Sequence, residues 1–289
     1  MDKFTNAQSA EVLTRALPYI QEYYNKTVVV KYGGNAMINE ELKQQVMGDI
    51  VLLSLVGVKV VLVHGGGPEI TDLLKRVGKK SEFVDGLRVT DRETADIVQM
   101  VLAGKVNKDL VKLIESKGGT AMGISGMDGG LITATTKDER LGFVGEITRV
   151  NAKPIEDLLE KGYIPVVSTV GSDMDGNSYN INADTAAACI AGALGAESLL
   201  MMTDIEGVLK DPTDSETLIP VIDIKDAESL KADGTISGGM IPKVDCCINA
   251  LARGVKKVFV LDGRVPHSVL IEILTDEGAG TMFVKERKK

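Results

Sequence analysis

Two glycine-rich turns, each following a run of β-branched residues, are the first features of this chain that could do chemistry. Lys31-Tyr32-Gly33-Gly34-Asn35 follows Val28-Val29-Val30, and His64-Gly65-Gly66-Gly67-Pro68 follows the apolar run 58–63. Glycines in such turns let backbone N–H groups point inward and form a nest for an anion. A plain strand-to-helix turn would use the same residues, so neither motif decides alone. No G-x-x-x-x-G-K-[ST] or G-x-G-x-x-G occurs, which excludes a P-loop ATPase and an ordinary dinucleotide-binding dehydrogenase. Three further polar clusters follow: Gly86-Leu87-Arg88-Val89-Thr90-Asp91, Asn180-Ile181-Asn182-Ala183-Asp184 and Ser237-Gly238-Gly239-Met240-Ile241-Pro242-Lys243.

Alternating β-branched runs and helical patterns predict an α/β fold with a mainly parallel sheet. Strands are expected at 28–30, 58–63, 164–168, 198–202 and 257–261, with helices over 39–55 and from Glu69 onward. The stretch 131–150 alternates differently and predicts a local antiparallel hairpin. Ligands of open α/β sheets bind beyond the carboxyl ends of the strands, where both glycine turns fall. Residues 211–220, rich in Asp, Pro, Thr and Ser, are the most loop-like. The 289 residues suffice for one large domain or two joined lobes, with a boundary near residue 190.

A net charge of -8, with lysine and arginine dispersed, argues against a nucleic-acid or anionic-membrane surface. A site for an anionic substrate must therefore gather positive charge locally. Cys189, Cys246 and Cys247 form neither a zinc ligand set nor a disulfide framework, and read as buried small hydrophobes in a reducing compartment. The polar start of the chain lacks a signal-type apolar core, and no run approaches the roughly 20 apolar residues of a membrane span. A cytoplasmic protein is expected, with no metal-ligand cluster of its own.

The five ordered motifs resemble the amino acid kinase family, and the runs 86–91 and 180–184 are similar to those of its acetylglutamate kinases. The resemblance covers residues 26–285 and implies a three-layer αβα sandwich around a mainly parallel sheet. It implies ATP with Mg2+ as phosphoryl donor and the side-chain carboxylate of N-acetyl-L-glutamate as acceptor, an early step toward arginine. That carboxylate has a pKa of about 4.3 and needs no general base at pH 7. What remains is in-line positioning and neutralisation of the phosphoryl charge. By resemblance, Lys31 and Lys243 are the transition-state cations and Asp184 the carboxylate that holds them. Taken alone, the two would read as solvated lysines and Asp184 as the N-cap of a helix over 185–194. Gly33 and Gly34 would form the phosphate loop, and Gly66 and Gly67 would donate backbone N–H groups. Arg88 would grip the α-carboxylate, and Asn180 would make a further polar contact. Thr203, Asp204 and Lys210 would flank the nucleotide. His64 reads as a structural residue that shapes its glycine loop. The lobes implied are 26–190 for acetylglutamate and dimerisation and 191–289 for ATP.

Residues 1–25 precede the first strand. Val12, Leu13, Ala16, Leu17, Ile20, Tyr23 and Tyr24 give an apolar helical stripe that Pro18 should bend. Such a helix could pack on its own domain or on another subunit. The resemblance favours the second: arginine-sensitive relatives use such a helix to join dimers into a hexamer, a trimer of dimers. It further implies an arginine effector site built from Tyr19, Lys210, His267, Glu277 and Gly280. Alternatives are a sister kinase acting on an aminoadipate derivative, a carbamate kinase and a non-catalytic sensor. The acidic balance, the context of Arg88, and retention of Lys31, Asp184 and Lys243 disfavour these in turn.

Overall fold

The computed structural model describes residues 5–287; residues 1–4 of the expected amino-terminal segment and 288–289 of the second lobe lie outside that span. The chain opens with α1 (Asn6–Arg15) and α2 (Leu17–Tyr23), which meet at Ala16. Pro18 sits in the first turn of α2, where its missing N–H costs no helical bond, so the expected bend is a break between two helices. Next come β1 (Thr27–Tyr32), α3 (Asn35–Ile38), α4 (Glu40–Leu55) and β2 (Lys59–His64). Asn39 caps α4 by accepting from Leu42 N, and Glu40 and Glu41 suit its positive end. The chain continues through α5 (Gly67–Arg76), β3 (Phe83–Val84), β4 (Leu87–Arg88) and α6 (Arg92–Gln99). A π-helical turn, Met100–Val106, joins α6 to α7 (Asn107–Ser116).

After α7 come β5 (Ala121–Ser125), β6 (Ile132–Thr136), β7 (Gly145–Val150), α8 (Lys153–Glu160), β8 (Ile164–Ser168), β9 (Val170–Ser172) and β10 (Ser178–Asn180). The last part holds α9 (Ala183–Ala193), β11 (Ser198–Thr203), β12 (Val221–Asp223) and α10 (Ile224–Ala232). It ends with α11 (Met240–Ala252), β13 (Lys257–Asp262), α12 (Ser268–Leu274) and β14 (Gly280–Val284).

One sheet runs in the order β12-β14-β13-β11-β1-β2-β8-β5, and its pairs are parallel except β13 with β14. The expected hairpin exists: β6 and β7 pair antiparallel, within a smaller sheet of order β10-β9-β6-β7. Side chains alternate across the main sheet and so divide the core in two. Val28, Val30, Val60 and Leu62 join the core under α4 and α7, while Val29, Val61 and Val63 join the core under α9 and α11. Burial on both faces is why these strands read as unbroken apolar runs. The result is the three-layer αβα sandwich. Among the described residues no helix is long and apolar enough to cross a membrane.

On one outer layer α4 packs against α12 and places a carboxylate where sequence offered no warning. Asp49 is 1% exposed, and its Oδ1 lies 2.6 Å from His267 Nδ1. Burial raises its pKa from 3.8 to about 6, against the lowering effect of His267. The folded state thus holds this proton more tightly than the unfolded chain. Its contribution favours folding below pH 3.8 and is lost as pH rises through about 6. At about 1.4 kcal/mol per pKa unit, the loss approaches about 3 kcal/mol. Asp49→Asn should therefore gain stability relative to wild type between pH 4 and 7 in urea melts. A pH-independent difference would contradict this account.

Candidate active site

The carboxyl edge of the main sheet gathers the three charged residues singled out above. Lys31 lies near the end of the central strand β1, Asp184 in the first turn of α9, and Lys243 in the first turn of α11. Lys31 Nζ is 2.9 Å from Asp184 Oδ1, and Lys243 Nζ is 3.3 Å from Asp184 Oδ2. Lys31 also donates to Met202 O at 3.4 Å. Burial alone would raise the Asp184 pKa, but the two ammonium groups outweigh it and hold the carboxyl below its ordinary value. Asp184 is not the N-cap: Asn182 takes that role by accepting from Thr185 N, which frees Asp184 for the lysines.

The Gly33–Gly34 turn is threaded between side chains. A Cβ on Gly33 would lie 2.5 Å from Lys31 Nζ, and one on Gly34, at φ +70°, would lie 2.4 Å from Asp204 Oδ1. At Gly34 the backbone angle favours glycine, and at Gly33 a side chain would displace the Lys31 head. The second turn, Gly65–Gly67, lines a cavity of about 200 Å³ together with Arg88, Asn180, Leu102 and Ile181.

Arg88 is 7% exposed. Its Nη2 donates to Gly67 O at 3.0 Å and Thr71 Oγ1 at 2.8 Å, and its Nη1 donates to Ser81 Oγ at 2.6 Å. The guanidinium also stands over Phe83, 4.8 Å from the ring centre. Among the described residues no carboxylate pairs with it. A buried cation lined by neutral acceptors, with two of its five N–H donors uncommitted among the described residues, has the chemistry to receive a carboxylate or phosphate. Asn180 faces the same cavity and donates to Thr90 Oγ1 at 3.4 Å.

His64 is fully buried, with both ring nitrogens engaged, by Gly65 O and Asn107 Nδ2. Burial lowers its pKa to about 4. Neither nitrogen is free to move a proton, so the imidazole acts on the loop.

The remaining expected residues are distributed as follows. Thr203 ends β11, and its hydroxyl is occupied by Ile205 and Leu261 backbone groups. Asp204 stands against Gly34, which places it beside the first glycine turn. Lys210 is exposed in the following loop, where its N–H bonds Thr217 O. Tyr19 lies on α2, which packs against α12; His267 immediately precedes α12, and Glu277 and Gly280 follow it. Val208 N donates to Thr281 Oγ1, bringing the Lys210 loop toward Gly280. No hydrogen bond or ion pair joins these five residues to one another among the described residues.

The sequence model of the amino acid kinase family matches residues 26–262. The chain belongs to the amino acid kinase family. The matched span takes in Lys31, both glycine turns, Arg88, Asp184 and Lys243, and leaves out α1, α2 and residues 267–280. Within the family, an acetylglutamate kinase of Brachyspira hyodysenteriae is 56% identical over 288 residues, covering 99% of this chain and 100% of that protein. An acetylglutamate kinase of Clostridium beijerinckii is 55% identical over 281 residues, 96% of this chain and 99% of that one. Among solved structures, N-acetylglutamate synthase from Neisseria gonorrhoeae, complexed with coenzyme A and N-acetyl-glutamate, matches with a TM-score of 0.83 and 25% identity. That match covers 96% of this chain but only 64% of the synthase. Carbamate kinase from Giardia lamblia bound to AMP-PNP has a TM-score of 0.68 at 18% identity, over 91% of this chain and 99% of that one; this likeness supports the family fold alone.

Several site residues of this family member escaped the sequence reading. Thr71, Ser81 and Phe83 hold Arg88, and Leu102, Val106 and Asn107 back the second glycine turn. Ordinary residue types at no fixed spacing gave no signal for them.

Proposed function

We propose that this chain transfers the γ-phosphoryl group of ATP to the side-chain carboxylate of N-acetyl-L-glutamate, giving N-acetyl-L-glutamyl 5-phosphate in arginine biosynthesis. The observation that carries the reading is the pairing of two cationic centres at one sheet edge. One is the buried Arg88, without a carboxylate partner among the described residues, and the other is Lys31 and Lys243 sharing Asp184. The first suits the α-carboxylate of an acidic amino acid. The second carries a surplus positive charge, suited to a phosphoryl group in flight. Relatives named acetylglutamate kinase, at 55–56% identity over nearly the whole chain, support the same substrate.

In this mechanism the acceptor carboxylate is already ionised and attacks directly. Arg88 and Asn180 fix the acceptor, Gly66 and Gly67 offer N–H groups, and the two lysines balance charge as it moves from attacking to leaving oxygen. Residues 26–190 carry the acceptor side and 191–289 the nucleotide side, with Thr203, Asp204 and Lys210 near the nucleotide. Mg2+ would arrive with the triphosphate and take most ligands from phosphate oxygens and water. No three His, Cys, Asp or Glu residues converge among the described residues, and Asp184 and Asp204 are the acids placed to assist. A cytoplasmic setting fits such a metabolic kinase.

Trapping acyl phosphate with hydroxylamine, using ATP, magnesium and each candidate acid in turn, tests the assignment; turnover of another acid in preference to N-acetyl-L-glutamate would overturn it. Lys31→Ala and Lys243→Ala should each lower kcat far more than they raise KM. A lost preorganised contact to the transition state costs on the order of 2.7–4 kcal/mol. Unchanged turnover would remove that lysine from the mechanism. Arg88→Ala should raise KM for N-acetyl-L-glutamate while leaving that for ATP nearly constant. Equal weakening of both substrates would count against the assigned grip.

Feedback inhibition by L-arginine is the regulatory part of the proposal, with Tyr19, Lys210, His267, Glu277 and Gly280 as the effector site. Its support is that α1 buries no residue in this chain and leaves Val12 and Leu13 exposed, with Leu17 exposed at the start of α2, as a segment meant for another subunit would. Arginine must bind one arrangement of the hexamer better than another, since equal affinity shifts nothing. Deleting residues 1–25 should leave an active dimer with most of its arginine response lost. Light scattering beside inhibition curves checks both points, and a truncated hexamer or a fully sensitive dimer would refute this role.

A further inference from the structure

Behind the Gly65–Gly67 turn lies a buried histidine–amide pair whose proton placement is settled by its neighbours. Asn107 Nδ2 faces Val166 O at 2.8 Å and Ile124 O at 3.3 Å, while its Oδ1 accepts from Lys108 Nζ at 3.0 Å. Carbonyls on one side and an ammonium on the other admit a single orientation of the amide. The same Nδ2 lies 3.2 Å from His64 Nε2. An amide nitrogen does not accept, so with Val166 O as the nearest acceptor the second amide hydrogen goes to His64 Nε2 rather than to the longer Ile124 O, which leaves the imidazole proton on Nδ1. Nδ1–H in turn donates to Gly65 O at 2.8 Å.

Peptide planarity carries the effect into the site. The peptide bond between Gly65 and Gly66 is trans, so the C=O of Gly65 and the N–H of Gly66 point in opposite directions across one rigid unit. With the carbonyl drawn back to His64, the Gly66 N–H is turned away from the imidazole, and Gly66 itself lines the cavity. Among the described residues no backbone acceptor takes that N–H. We infer that Asn107 and His64 are positioning residues: Asn107 holds His64 as its Nδ1–H tautomer, and His64 thereby aims the Gly66 N–H at the transferring phosphoryl group.

Three features of the chain protect this arrangement. The π-helical turn Met100–Val106 ends directly at Asn107 and packs Leu102 and Val106 behind Gly66, where a Cβ would lie 2.6 Å from Leu102. A Cβ on Gly123 would lie 1.9 Å from Asn107 Oδ1, so only glycine there lets the amide seat. Burial lowers the His64 pKa to about 4, which keeps the ring neutral at pH 7.

The inference rests on the kinase reading for what Gly66 N–H serves, but not for the tautomer. The test uses the intact enzyme. Nitrogen-15 NMR at neutral pH, assigned against His64→Gln, should find His64 protonated on Nδ1; a proton on Nε2 would overturn the inference even if every variant misfolds. His64→Gln retains an acceptor for Asn107 and lacks the Nδ1 donor, whereas His64→Asn retains a donor for Gly65 O. The first should lower kcat on the order of 10- to 100-fold, below the 10²–10³ of losing such a donor outright. Its KM for ATP should stay within about twofold. His64→Asn should recover most of the loss at similar melting temperature. Undiminished kcat in His64→Gln, or equal losses in both variants, would refute the aiming role. Wild-type protein inactive on N-acetyl-L-glutamate would instead sink the kinase reading and leave the tautomer assignment standing.

Discussion

Two ammonium groups share one carboxylate at the carboxyl edge of the sheet, and much of the architecture serves to keep them there. Asp184 reaches Lys31 at 2.9 Å and Lys243 at 3.3 Å, and the three come from the central strand and two different helices. Taking three charges largely out of water is costly unless geometry is good. With two ammonium groups on one carboxylate, the cluster suits the phosphoryl transfer proposed above. It also resolves the tension between a chain of net charge -8 and an anionic substrate, because the positive potential is local.

The same logic recurs at Arg88. Its guanidinium is buried, stacked on Phe83 and bonded to neutral oxygens. Rigid neutral partners hold the group without cancelling its charge, so orientation is set before a ligand arrives. In the proposed function these two cationic centres would receive the two ends of the anionic substrate.

Glycine supplies the remaining constraint, since the backbone itself must approach the ligand. At Gly34 the positive φ and the Asp204 head exclude a side chain; at Gly66 the buried Leu102 does. The parallel order β11-β1-β2-β8 brings the Lys31 and His64 strand ends side by side, with Tyr32 paired to His64. Register therefore fixes the spacing of the two glycine turns across the sheet.

Much of this was legible in the chain itself. The β-branched runs marked the central strands because burial on both faces demands continuous apolar sequence, and the hairpin of β6 and β7 stood out by its alternation. The five motifs, the two glycine turns among them, were legible because they are unusual residue types at fixed order along the chain. The three-residue strands β9 and β12 were missed because they are too short to leave a periodic trace, and β5 and β14 because they are only partly buried where the equally long β8 is buried throughout. Taken without the resemblance, Asp184 read as a helix cap, and only the structure puts Asn182 in that place. Asn107, 43 positions from His64, and Asp49, 218 positions from His267, gave no sequence signal. Their chemistry comes from partners that only the folded chain brings within hydrogen-bonding distance, and from burial that moves a carboxyl or an imidazole away from its ordinary pKa.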